Sequence, residues 1–222
     1  MFEAAARFFQ EGGPGMYPIT VCLIFIIAII IERVTFLYFK ASIEKDAFVQ
    51  AMRKYILAGN VGKALALCSQ TPTPLSNIIK AGMVKVNKTD SEVQAAMDEA
   101  SLREVPRLEK RTAYLAMLAN VAMLAGLLGT IFGLILCFSA VAAGDPSEKA
   151  TMLAKGISES MHCTFFGLLT AIPGLVFFGI LQGRTQKLHD DINEASVAVL
   201  NLIVTNRDKL DLSTLGAARE EA

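Results

Sequence analysis

The sequence predicts an all-α membrane protein, with three transmembrane helices and a large cytoplasmic helical bundle, assembling as a ring of copies. Three observations predict the helices and their membrane setting, and the ring follows from the small-residue faces of the second and third spans. Of 222 residues, 53% are hydrophobic and only 19% charged, and the mean hydropathy is +0.46, which is more apolar and less charged than a soluble domain. The apolar residues are gathered into three runs that are long enough, or nearly so, to cross a bilayer. Lysine and arginine are spread unevenly among the segments joining those runs. Composition also excludes several classes. Lys+Arg and Asp+Glu balance at 21 each, with a pI near 6.7, so there is no electrostatic case for nucleic-acid binding. Four cysteines without a CxxC pair fit neither a disulfide scaffold nor a zinc ribbon. Two histidines, His162 and His189, are too few and too far apart for a histidine metal cage.

Residues 1–15 begin with FEAAARFFQ, which sets Phe2, Phe8 and Phe9 around an alanine-rich stretch that EGGPG then ends. This is the pattern of a short helix lying in the membrane interface. The first span, 16–39, opens with the uncharged run Met16–Ile31. About 20 helical residues cross a hydrocarbon layer of roughly 30 Å. The run reaches that length if Glu32 and Arg33 snorkel to the interface. With no basic residues in Met1-Phe2-Glu3 and no small-x-small site after Ile31, it reads as a span and not as a cleaved signal.

Residues 40–112 read as helical and cytoplasmic. Phe48, Met52, Tyr55 and Ile56, then Val61, Leu65 and Cys68, recur at helical spacing before TPTP at 71–74 interrupts. LSNIIKAGMVKV resumes the pattern. A last helix, with Asp90 or Ser91 as its N-cap, runs straight into the second span, 113–143. A hairpin around Asp145-Pro146 (144–158) leads to the third span, 159–183. The tail, 184–222, is helical at first, with Leu188, Ile192, Val199 and Leu202–Ile203 on it. Twelve Lys and Arg lie between Lys40 and Arg111 and five follow the third span. Only Lys149 and Lys155 separate the second and third. The positive-inside rule then places the long segment and the tail in the cytoplasm, and the N-terminus and hairpin outside, in a bacterium the periplasm.

The spans carry the functional signal. Ala119, Ala122, Gly126, Thr130, Gly133, Cys137 and Ala140 are three or four residues apart and form one stripe of small side chains with Thr130 at its centre. Ser160, Thr164, Gly167, Ala171 and Gly174 repeat the theme on the third span, beside Pro173, while Thr170 sits off that face as a packing hydroxyl. Small residues let helices approach closely where lipid supplies no hydrophobic drive. Two hydroxyl-bearing faces suggest a lumen, which one copy has too few helices to enclose. The plain alternative for Thr130 is a bond back to the carbonyl of the preceding turn. Glu159 is the carboxylate at the edge of these runs, and His162, three residues on, is its helical neighbour. An ionisable residue at membrane depth points to function. The plain alternative is that Glu159 simply marks the outer interface; His162 serves packing or, if it faces the lumen, relays protons.

No catalytic set emerges: there is no nucleophile triad, no phosphate loop and no HExxH. Any work must draw on an ion gradient or a partner.

In combination, PITVCLIFIIAIIIERVTFLY, LAGLLGTIFGLILCFSAV and GISESMHCTFFGLLTAIPGLVFFGIL resemble the MotA/TolQ/ExbB proton-channel family, in its TolQ/ExbB branch. The resemblance implies a homopentamer in the bacterial inner membrane, its second and third helices lining a central pore. Two copies of a single-span partner similar to TolR or ExbD would occupy that pore, each with a proton-carrying membrane aspartate. By motif, Thr130 matches the pore threonine of the second span, Thr164 that of the third, and Glu159 the acidic residue before it; Ser160 and His162 flank them. Ala119, Ala122, Gly126, Gly133, Gly167, Ala171, Pro173 and Gly174 fall to helix packing. The implied ion is H+, with Na+ the alternative, and no cofactor is implied. His162 departs from the branch, where an aliphatic residue is usual. The process energised, whether uptake, envelope maintenance or gliding motility, is delivered by the partner. The competing expectation is a passive membrane scaffold; an independent solute transporter lacks the internal repeat it would need.

Overall fold

The computed structural model of the chain describes residue 9 and residues 12–41, 44–143 and 147–207. Among them the regular elements are helices: α1 (Met16–Thr35), continued by a π-helical turn (Phe36–Lys40), α2 (Lys45–Leu57), α3 (Val61–Gln70), α4 (Pro74–Val84), α5 (Asp90–Glu109), α6 (Thr112–Ala143) and α7 (Lys149–Thr205). α1, α6 and α7 carry the three stretches long and apolar enough to cross a membrane. The interfacial helix expected in residues 2–10 lies outside the described residues, Phe9 excepted, as do the Asp145-Pro146 turn and the chain beyond Arg207. α7 has 57 residues, so by its rise it is about 85 Å long. It takes in, without a break, the end of the expected hairpin, the third span and the start of the tail. Pro173 sits inside it; in a membrane helix, neighbouring groups can satisfy the carbonyl that a proline frees.

The chain divides into two compact units. The first comprises the described residues up to Arg33 together with Arg111–Leu181. Here Ile19 and Cys22 of α1 and Ala122 of α6 form a buried cluster, against which Ala125 and Phe166 pack. Away from that cluster the surface is apolar: Phe25, Ile31, Leu128, Ile135, Phe165 and Ile172 are all exposed. Contiguous exposure of this kind suits lipid or another apolar chain, not water.

α5 does not run straight into α6. Lys110 (ψ 133°) ends α5, and Arg111 adopts φ +67°, the left-handed region, before Thr112 starts α6. A side chain there costs about 1–2 kcal/mol. The turn lets the Arg111 guanidinium form an ion pair with Glu32 of α1, both side chains being half-exposed. Arg33, expected beside Glu32 at the water interface, is instead buried, at 3% exposure.

The second unit comprises Val34–Lys110 and the described residues from Gln182 onward. Phe48, Met52, Ile56, Val61, Leu65 and Cys68 are buried there, as are Leu188, Ile192, Val199 and Ile203 of α7. The TPTP break becomes a helix start: Pro74 opens α4, and Thr73 and Ser76 form a reciprocal capping box. α5 is capped by Thr89, one residue ahead of the expected Asp90 or Ser91, with Glu92 completing its capping box. The Thr89 backbone N–H and then its hydroxyl hold the Glu92 carboxyl below the usual range. Lys45 pairs with Glu194 at 2.7 Å and Asp191 at 3.2 Å, tying α2 to α7. Those bonds, Glu194 first, raise the Lys45 ammonium above its ordinary value. Burial pushes the Cys68 thiol up to about 12.

Candidate functional site

The two small-residue stripes do not leave two open faces. They meet each other inside one chain, along the antiparallel seam of α6 and α7. A Cβ on Gly126 would lie 2.9 Å from the Cys163 carbonyl oxygen and 3.1 Å from Gly167 Cα. A Cβ on Gly167 would lie 3.0 Å from the Ala122 carbonyl oxygen. Backbone therefore touches backbone, and only glycine fits on either side. One step further along, a Cβ on Gly133 would reach Ser160 Oγ at 2.5 Å. In the other direction, one on Gly174 would reach Ala119 Cβ at 3.1 Å and Ile26 Cδ1 at 3.5 Å. Each advance of three or four residues along α6 is matched by the same retreat along α7, which is why the spacing of small residues repeats in both helices. Ala119, Ala122, Gly126, Gly167, Ala171 and Gly174 are buried in this packing, whereas Pro173 and Ala140 are exposed.

The hydroxyls lie within the seam. Thr130 Oγ and Thr164 Oγ are hydrogen-bonded to each other. Thr130 can also donate back to Gly126 O at 3.0 Å, the local bond expected of a helical threonine, or across the seam to Ser160 O at 3.3 Å. Thr164 reaches the same Gly126 carbonyl at 3.3 Å. Two hydroxyl hydrogens thus have two carbonyls and each other as acceptors, and lone pairs remain on both oxygens. Both threonines are only half-buried, so the pair opens at the edge of the seam. Such a pair can turn its hydrogens toward an incoming carboxylate, or accept from a carboxylic acid, with little rearrangement.

Of the other candidates, Ser160 is 1% exposed and donates to Gly156 O at 2.8 Å. Glu159 is half-buried, and its carboxylate lies against Gly13. His162 Nδ1 faces Ser158 O at 2.6 Å, so this nitrogen carries the proton. Its ring lines an open cavity of about 400 Å³ with Ser158, Met161 and Phe165. Thr170, placed off the face by spacing, is 2% exposed, and its hydroxyl has no hydrogen-bond partner among the described residues. No cluster able to hold a metal occurs among the described residues.

Comparison with known proteins decides the family. Residues 70–194, more than half of the chain, match the MotA/TolQ/ExbB proton channel family. The chain belongs to that family. It is 27% identical over 174 residues to a putative biopolymer transport protein, ExbB-like 3, of Synechocystis sp., covering 78% of this chain and 82% of that protein. It is 35% identical over 96 residues to the Tol-Pal system protein TolQ of Haemophilus influenzae, covering 43% of this chain and 42% of TolQ. The structure of C. jejuni MotAB shares the fold, with a TM-score of 0.58 at 14% identity over 94% of this chain and 78% of that one. The matched stretch takes in α6 and the part of α7 that carries Thr164.

Two features of this MotA/TolQ/ExbB chain escaped sequence reasoning. Intrachain closure of the stripes was implicit in their equal spacing, since two complementary glycine faces on consecutive helices can pair at once. The approach of Gly12, Gly13 and Gly15 to α7 had a weaker signal, three glycines within four residues ahead of a span.

Proposed function

We propose that the chain is the ion-channel subunit of an inner-membrane motor complex that uses the proton motive force to drive a TolR/ExbD-like partner. In this reading it forms a homopentamer, with its N-terminus periplasmic and its C-terminus cytoplasmic. Two single-span partner helices occupy the axial passage. The observation that carries the reading is the half-buried Thr130–Thr164 pair, which has spare lone pairs at the open edge of a seam otherwise closed by glycine. An edge of this kind, repeated around a ring, presents alternating donors and acceptors to a guest aspartate. Neutralising that aspartate removes its desolvation penalty and lets it move past apolar neighbours. Glu159, on the same helix, supplies a fixed negative charge that favours cations near the passage. Family membership and the ExbB and TolQ relatives support this reading, with H+ as the ion and Na+ as the alternative.

The observation favouring a passive scaffold is that Thr130 also makes its local back-bond and that the stripes are consumed by packing. Proton uptake into proteoliposomes that hold the chain and its single-span partner separates the two. The motor reading expects Glu159→Gln to cut uptake at least tenfold with assembly intact; unchanged uptake refutes it.

A further inference from the structure

The glycine turn before α1 is seated on α7 at Glu159. Gly13 holds φ +66°, and a Cβ there would collide with Glu159 Oε1 and stand 3.2 Å from its Cδ. The Gly12 carbonyl accepts the Cys163 thiol at 3.1 Å, and a Cβ on Gly12 would come within 3.3 Å of His162 Cβ. A Cβ on Gly15 would stand 2.9 Å from Cys163 Sγ and 3.4 Å from Gly129 Cα. Pro14 fixes one backbone angle between these glycines. On its other side the turn is anchored to α1, through Met16 N–H to Gly13 O and Tyr17 N–H to Pro14 O, both at 3.3 Å. Cys163 is 3% exposed beneath this cover. Gly12, Gly13 and Gly15 are thus fitted to the Glu159–Cys163 turn of α7, at places where a β-carbon would meet it.

We propose that the Gly12–Gly15 turn is a positioning clamp for Glu159: it holds the half-buried carboxylate against α7, covers Cys163 beside it, and restricts the approach of an ion to that carboxylate from the medium. The inference rests on the reading of Glu159 as an ion-pathway residue. Gly13 acts through Glu159 and touches no ion itself. Because the backbone angle at Gly13 disfavours a β-carbon, and a β-carbon there would also displace the Glu159 carboxylate, Gly13→Ala shifts the clamp toward its lifted form.

Cys163 is the native reporter. The full chain with its partner, in lipid nanodiscs, is treated with N-ethylmaleimide, and modification of Cys163 is followed by mass spectrometry. The clamp predicts slow labelling in the native complex and labelling about tenfold faster in Gly13→Ala, the scale of a left-handed alanine's cost. Gly15→Ala, which has no left-handed angle and only wedges against Cys163, also accelerates it. Adding Glu159→Asp to Gly13→Ala withdraws the oxygen by one methylene but leaves the left-handed angle, so it restores the part of the protection lost to the clash, which a general loosening of the fold would not do. Equal labelling of the native and Gly13→Ala complexes overturns the clamp, as does failure of Glu159→Asp to restore any protection. Proton uptake that is unchanged in Gly13→Ala while labelling rises overturns its role in access. If Glu159→Gln leaves uptake unchanged, the motor reading fails, and the labelling series still judges the clamp independently.

Discussion

Replacing Thr164 by valine separates packing from function at the seam. Valine keeps the branched shape of threonine and opens no cavity, so the cost is confined to hydrogen bonds. The Thr164 hydroxyl contacts Thr130 Oγ and, at 3.3 Å, Gly126 O. Its loss leaves no orphan donor, because Thr130 still reaches Gly126 O at 3.0 Å and Ser160 O at 3.3 Å. Interhelical hydrogen bonds within membranes average about 0.6 kcal/mol, with a maximum near 1.7. Thr164→Val should therefore cost about 1 kcal/mol, and Thr130→Val a similar amount. The double variant should cost less than the sum, since the shared bond is lost only once. Thermal unfolding followed by circular dichroism measures the cycle, and size-exclusion chromatography reports assembly. Proton uptake into proteoliposomes with the partner present should fall at least tenfold in each single variant, far more than a loss of about 1 kcal/mol in stability can explain. Normal uptake in both single variants would show that the hydroxyls only pack. A stability loss above about 3 kcal/mol with dissociation would show that the seam depends on them structurally, more than these few hydrogen bonds can account for.

The opposite behaviour is expected of Gly167→Ala: its Cβ would meet the Ala122 carbonyl oxygen at 3.0 Å and Gly126 Cα at 3.1 Å, both backbone. It should lose about 1–3 kcal/mol and assemble poorly, as read by chromatography. In the second unit, Glu92 is held below its ordinary 4.5 by Thr89, so its contribution to stability is present above that value and lost as pH falls through the folded pKa. Acid titration by circular dichroism should show α5 losing helix below about pH 4.5 in the native chain, and a flatter profile in Glu92→Gln. Cys68, 1% exposed with its thiol pushed up to about 12, should resist iodoacetamide at about pH 8 until the chain is unfolded. Raising the pH from 9.0 toward 12 should destabilise the unit, because the folded state holds that proton longer.

The spans, the break at TPTP and most of the buried face of α2 and α3 were legible from periodicity, because a helix with one apolar side announces which residues it will bury. The α6–α7 seam was half-legible. Equal spacing of small residues marked both faces, yet spacing on single helices does not say whether a face meets its neighbour in the chain or a partner. The turn at Lys110–Arg111 was not legible. Nothing in EKRT breaks a helix, and the left-handed arginine serves a contact with Glu32, 79 residues away. The caps were nearly legible, since Thr89-Asp90-Ser91-Glu92 spells a capping box whose first residue is the cap. Spacing put Thr170 off the seam face as a packing hydroxyl, and the structure buries it at 2% exposure.

The proposed motor requires copies of this chain to surround a passage edged by the Thr130–Thr164 pairs and filled by guest helices. A cryo-EM map of the chain purified with its single-span partner, in nanodiscs, measures this directly. Five copies around two partner helices are expected, with each threonine pair turned toward the guest. A map in which those pairs face lipid, or in which the chain stands alone with no axial opening, would contradict it.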